Sequence, residues 1–196
     1  MLHNGFLSMQ LQVIQKKSSL ELYLDDEMLK ICDRKLFQKK VPKDKYFQDK
    51  KEATEWFYQL EKDVLLGFSY YLLGRRSYHS SVLKRKLILR NFSKASIEEI
   101  ILLLKERRFL DDLEWMKFQI EKAQRKAHGP RKVYYQLYLQ GINEEELKNA
   151  LDKFYSPKTE KKIVQLLKQK LEKTKDKKEI YSYLKKRGFN LSDFFD

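Results

Sequence analysis

A chain of 196 residues, 42% of them apolar and 36% charged, is long enough to bury a core, and with only 6 Gly and 3 Pro it reads as a helix-rich globular sequence. No run approaches the roughly 18 apolar residues of a membrane span. The first ten residues lack the basic-then-apolar pattern of a secretory signal, and the single cysteine, Cys32, excludes an internal disulfide and points to a reducing, cytoplasmic setting.

Residues 1–47 differ from the rest. Leu7, Met9, Leu11 and Val13 alternate with polar residues, and after Lys16–Ser19 the residues Leu20, Leu22 and Leu24 alternate again. Period two predicts a small antiparallel hairpin, with a third strand placed near Met28–Cys32. Such a hairpin must lean on a neighbour or move. Val41-Pro42-Lys43-Asp44 punctuates its end.

From about Asp49 the period becomes helical. Trp56, Leu60, Val64, Phe68, Tyr71 and Leu72 follow a three-four rhythm up to Gly74, which predicts one long helix with Gly67 as a tolerated weak point. Helices are expected near 79–90 and 94–107. Asp111-Asp112 suits the positive end of the next helix, whose buried face is read as Leu113, Met116, Ile120, Ala123 and Ala127. His128-Gly129-Pro130 breaks it, and Pro130 is placed to open the following helix. A further set begins near Ser156-Pro157, with Ile163, Leu166, Leu167, Lys170 and Leu171 on a long helix and Ile180 to Lys186 on a second.

One spacing occurs three times. Leu87, Phe92 and Ile97 are five apart, as are Leu137, Ile142 and Leu147, and Leu184, Phe189 and Phe194; Leu83, Val133 and Ile180 precede each set by four. Before the middle anchor stand Asn91, Gly141 and Gly188, the residue types that enter the left-handed region at least cost and so stop a helix. After it stand Ser93, Asn143 and Asn190, which offer a side-chain oxygen to the next helix. Glu146 and Asp193 follow Asn143 and Asn190 at plus three, as in a capping box. A period near 50 residues means tandem helical modules. The fold class is therefore mainly α: a tandem array of three three-helix modules at 48–110, 111–155 and 156–196, the third truncated, after the small β-rich region.

The search for chemistry gives little. His3, His79 and His128 have no Cys, Asp or Glu at metal-ligand spacing, and no Gly-rich phosphate loop is present. Cys32 reads as a small buried hydrophobe. Asp111 and Asp112 point about 100° apart on a helix, so a helix start suits them better than shared acid–base work. No cofactor, metal or catalytic residue is expected.

Charge is the stronger signal. The net formal charge is +14, of which residues 68–110 carry +7 and residues 156–196 carry +6, while 111–155 is neutral. That placement favours an acidic partner, nucleic acid or an acidic protein groove, with solvated lysine-rich faces as the alternative. The run Leu83 to Arg90 holds Lys84, Arg85, Lys86 and Arg90, with Arg75-Arg76 before it. Tyr134, Tyr135 and Tyr138, beside Arg131 and Lys132, are either a contact surface or packing between modules.

The ordered motifs resemble the RecX family of RecA regulators. Leu72-Leu73-Gly74-Arg75-Arg76, Leu83-x-x-Lys86-Leu87-x-x-Arg90-Asn91-Phe92, Ile97-x-x-Ile100-x-x-Leu103 and Phe109-Leu110-Asp111-Asp112 resemble its first module. Gly129-Pro130-Arg131-Lys132-Val133 with Leu137-x-x-x-Gly141-Ile142 resembles its second, and Tyr183-Leu184-x-x-Arg187-Gly188-Phe189 its third. The resemblance spans residues 68–196. His79 and Val82 stand where the family shows a Ser-x-x-Glu capping box, so Ser77 or Ser80 is expected to cap that helix. The resemblance implies a non-enzymatic modulator that lodges in the groove of the RecA filament on single-stranded DNA; a monomer is expected. There it hinders ATP hydrolysis and strand exchange and favours filament shortening. Arg75, Arg76, Lys84, Arg85, Lys86, Arg90, Arg131, Lys132, Tyr135, Lys185, Lys186 and Arg187 are the expected contacts with RecA or DNA, free DNA included. A general basic nucleic-acid-binding protein is the alternative.

Overall fold

The computed structural model describes residues 8–191 of the chain. Leu7, Asp193 and Phe194, for which strand, cap and anchor roles are expected, lie outside the described residues. The chain divides into two compact units, one of residues up to Ser77 with Leu83–Leu110, the other of Tyr78–Val82 with residues from Asp111 onward. No helix among the described residues is long and apolar enough to cross a membrane.

In the first unit the hairpin is part of a four-stranded antiparallel sheet. β1 (Met9–Gln15), β2 (Ser19–Leu24), β3 (Glu27–Asp33) and the two-residue β4 (Tyr46–Phe47) lie in the order β3-β2-β1-β4. Leu20, Leu22 and Leu24 are all buried, so the period-two reading holds. The β2–β3 turn is Asp25-Asp26, both at positive φ (44° and 67°), the backbone a two-residue hairpin demands. Asp33 then caps the short α1 (Arg34–Phe37) by accepting from the Lys35 and Leu36 amides. The buried Phe37 ring stacks on Phe57 at 6.0 Å and meets Phe92 at 5.7 Å, which seats the sheet on the helices. The sheet rests on more than a hairpin because β4, too short to show a pattern, adds Phe47 against Trp56 at 5.3 Å.

α2 (Lys50–Leu73) starts at its cap Asp49 and ends at Gly74, as the sequence predicts. Val64 is buried as expected, but the rest of the buried face is displaced by one residue: Ala53, Phe57, Glu61, Leu65 and Ser69 point inward, while Tyr71 is exposed and Trp56, Leu60, Phe68 and Leu72 are half-buried. A one-residue displacement turns a helix by about 100°. The apolar rhythm misses it because two of the inward residues are polar. Glu61 is 2% exposed. It accepts from the Ser93 amide (3.0 Å), the Ser93 hydroxyl (2.5 Å) and the Ser96 hydroxyl (2.6 Å), and Lys30 Nζ stands 3.6 Å away. Ser93 is itself the cap of α4 (Lys94–Glu106), so one carboxylate fixes the start of α4 on α2. Ile97, Ile100, Ile101 and Leu104 bury the other face of α4 as expected.

In the second unit α5 (Asp112–Arg125), α6 (Pro130–Tyr138) and α7 (Glu144–Phe154) enclose Trp115, Met116, Ile120, Val133, Leu137, Ile142, Leu147 and Tyr155. Leu113 is exposed, the inward place in the first turn of α5 going to Trp115, and Ala127 has already left the helix at φ 53°. α8 (Pro157–Leu171) and α9 (Lys177–Lys186) enclose Val164, Ile180, Leu184, Phe189 and Leu191. Leu166 is exposed; Val164, one side of the Ile163–Leu167 ridge, takes the buried place. The capping box forms at Asp176 and Glu179 of α9.

The three corners behave alike. Phe92, Ile142 and Phe189 are buried, as are Leu87, Leu137 and Leu184, and Asn91, Gly141 and Gly188 hold φ of 61°, 83° and 83°. The last corner also joins two helices end to start: the Gly129 amide donates to the Arg187 carbonyl (2.7 Å) and the Arg131 amide to the Gly188 carbonyl (3.1 Å). The orphan donors opening α6 thus meet the orphan acceptors closing α9.

Candidate functional site

α3 (Ser80–Ile88) begins in the second unit and continues in the first. Neither expected serine caps it with its own side chain. The Ser80 amide donates to Asp112 Oδ1 and its hydroxyl to Asp112 Oδ2, both at 2.6 Å, while the Ser81 amide donates to His79 Nδ1 at 3.2 Å. An amide can only donate, so Nδ1 accepts and the imidazole proton sits on Nε2, facing Glu146 Oε1 at 3.2 Å. The Glu146 carboxylate, expected to close a box with Asn143, therefore serves His79. Ligand atoms of His79, Asp112 and Glu146 lie within 4.8 Å of one another, yet the bonds each makes are those of a helix start. Asp111 caps α5 through the Glu114 amide at 2.9 Å, as the sequence predicts.

The basic residues of the first unit fall into two kinds. Lys84 pairs with Glu98, and Arg90 donates to Asp33 Oδ2 at 2.8 Å while lying 5.7 Å over the Phe68 ring. Both therefore brace the unit. Arg75 lies 5.5 Å over Tyr71 and donates to its hydroxyl. Arg75, Arg76 and Arg85 are exposed and Lys86 is half-buried. Beside the cations of α3 stand Ile88 and Leu89, 50% and 76% exposed. A helix end that offers cations and bare aliphatic groups together is suited to a protein or polyanion surface.

In the second unit Tyr134 and Tyr138 stack at 6.1 Å with planes 7° apart; Tyr135 and Tyr138 are exposed, while Tyr134 is half-buried against the core of α5–α7. Arg131 reaches Asn190 Oδ1 at 3.5 Å. Lys185 and Lys186 are exposed and Lys132 is half-buried. Arg187 closes the end of α5: its Nη1 donates to the Lys126 carbonyl at 2.6 Å and the Ala127 carbonyl at 3.4 Å, and it lies 4.9 Å over Tyr183. His128 sits among these charges. Burial first, then the nearby Lys132, Arg187 and Lys126, hold its pKa below the usual imidazole value. The Tyr155 hydroxyl donates to the His128 carbonyl at 2.7 Å, and burial raises its pKa. Gly129, Gly188 and Lys132 pack with no room for a side chain: a Cβ on Gly188 would stand 2.4 Å from the Lys132 nitrogen.

No family model matches the chain. It is similar to regulatory protein RecX of Caldanaerobacter subterraneus subsp. tengcongensis, 24% identical over 185 residues that cover 91% of each chain. It is also similar to regulatory protein RecX of Pelodictyon phaeoclathratiforme, 30% identical over 130 residues that cover 63% of this chain and 80% of that one. A crystal structure of regulatory protein RecX superposes with a TM-score of 0.61 at 18% identity, covering 95% of this chain and 96% of the other.

Proposed function

The chain belongs to the RecX family, and we propose from that premise that it acts on the RecA recombinase, lodging in the groove of the RecA–single-stranded DNA filament to slow ATP turnover and strand exchange and to favour filament shortening. The relatives are named regulatory proteins, and the family likeness spans nearly the whole chain; that is the observation that carries the reading. The exposed cations Arg75, Arg76 and Arg85, with Lys86, Arg131, Lys132, Lys185 and Lys186, supply the electrostatic attraction, and Leu89 and Tyr135 the apolar contact. Arg90, Lys84 and Arg187 contribute by holding these surfaces in shape.

The test is purified protein added to RecA filaments on single-stranded DNA, with ATP turnover and filament length followed together. Arg85→Glu/Lys86→Glu should fold as the parent does and inhibit at least tenfold less; equal inhibition removes α3 from the contact. The +14 net charge favours a second reading, general nucleic-acid binding. Were that the main activity, neutralising about six phosphates would make affinity for naked DNA fall on the order of a thousandfold between 50 and 200 mM salt.

A further inference from the structure

Where α2 and α4 end, the first unit carries a groove of about 590 Å³ lined by Tyr70, Leu73, Gly74, Ser77, Arg108 and Phe109. Its shape follows from the close of α4. Arg108 holds φ 59°, the Phe109 amide donates back to the Leu104 carbonyl (2.8 Å) and the Arg108 amide to that of Lys105 (2.9 Å). This is the double bond pattern of a left-handed helix stop. It turns Leu110 inward and leaves Phe109 52% exposed, although Phe109 is the larger apolar residue. The Phe109 ring meets the Tyr70 ring edge to face, centroids 5.0 Å apart, and the Tyr70 hydroxyl accepts from Arg107 Nη1 at 3.0 Å. None of the six lining residues is acidic. The cations nearest in the chain to this groove, Arg75, Arg76, Arg107 and Arg108, are all arginine.

We propose that this groove binds single-stranded nucleic acid, with a base stacked on Phe109 and the flanking phosphates held by Arg107 and Arg108. The proposal rests on the filament reading for its setting, but the contact itself needs no RecA. Three features select this occupant. An exposed ring beside planar guanidiniums matches a base beside its phosphates. A duplex hides its base faces, so the strand must be unpaired. The local charge of +7 over residues 68–110 complements a polyanion. Tyr70 acts as the positioning residue that sets the tilt of the Phe109 ring.

The experiment measures fluorescence anisotropy of a labelled oligo-dT with the full chain, beside Phe109→Ala, Phe109→Tyr and Arg108→Asn, the last chosen because asparagine tolerates the left-handed backbone. Phe109→Leu replaces Phe109→Ala if the latter melts lower than the parent. Phe109→Ala should bind oligo-dT about tenfold more weakly and Phe109→Tyr within about twofold of the parent, since any aromatic face can stack. Arg108→Asn should weaken binding and flatten its salt dependence. An abasic strand of equal length should bind the parent no better than oligo-dT binds Phe109→Ala. Equal affinity of Phe109→Ala and parent overturns the proposal, as does an abasic strand that binds as tightly as oligo-dT. Displacement of oligo-dT by polyglutamate at equal charge also overturns it, and assigns the groove to an acidic protein segment. RecA turnover, measured separately, separates the two readings: Phe109-dependent DNA binding without any effect on RecA leaves the groove standing and removes the regulatory reading, and the reverse result does the opposite.

Discussion

Gly129 and Gly188 touch backbone to backbone: a Cβ on Gly129 would stand 2.4 Å from the carbonyl carbon and oxygen of Gly188. Gly141 occupies the matching corner of the preceding repeat with the same φ of 83°, but a Cβ there would meet nothing within 4 Å. The two glycines therefore separate backbone strain from close approach. Gly141→Ala should cost about 1–2 kcal/mol, the strain of a left-handed backbone alone. Gly188→Ala should cost about 3 kcal/mol or more, because overpacking adds to that strain. Urea unfolding of the second unit followed by circular dichroism measures both, and equal losses would refute the close approach.

Glu61 organises the first unit. Glu61→Ala leaves the Ser93 amide and two serine hydroxyls without their acceptor in a buried site and should destabilise that unit by about 3–5 kcal/mol. Glu61→Gln keeps one acceptor oxygen and should lose less. Denaturant titration of both variants checks the order, and a loss under 1 kcal/mol for Glu61→Ala would show the network to be dispensable.

Asp112 acts as the cap of a helix other than its own. Asp112→Ala should cost about 1–2 kcal/mol through the uncapped start of α3. Hydrogen exchange at Ser80 and Ser81 should quicken in the same variant. Unchanged protection at those two amides would mean that α3 does not depend on this carboxylate.

The Cys32 thiol is buried against the Leu20 carbonyl at 3.8 Å, and its pKa is pushed up to about 12, chiefly by desolvation, with Glu61 adding to it. The folded chain should resist a thiol reagent at pH 8 that labels the unfolded chain at once. Below the ordinary value of 9.0 both states hold the proton. Above it the unfolded chain ionises first, so the contribution of Cys32 to stability is lost as pH rises from about 9 towards 12. A Cys32→Ala variant compared with the parent across that range isolates the effect; parallel stability curves would exclude it.

Much of the helix map was legible because caps and breakers carry short-range signals. Asp49, Ser93, Asp111, Asn143 and Ser156 cap the helices they precede, and Pro130 and Pro157 open theirs. What was not legible depended on contacts distant in the chain. Glu61 displaced the face of α2 because a buried carboxylate looks like a surface residue until Ser93 and Ser96 are brought to it. His79, Asp112 and Glu146 meet although more than thirty residues separate each from the next. Arg108 and Ala127 stop helices in the left-handed region where the sequence signal is glycine or asparagine. Among the expected contact residues, the spacing showed where cations cluster but not that Arg90 and Arg187 have partners at Asp33 and at the α5 carbonyls.

The start of α6 and the finish of α9 satisfy one another's peptide groups, and the Arg187 guanidinium seals the exit of α5. A version of the chain trimmed after α8 would expose all of these groups to water at once. Engineering a shorter variant must therefore either retain the 25 residues after α8 or supply substitute caps, because the final repeat is a lid on its predecessor as much as a repeat in its own right.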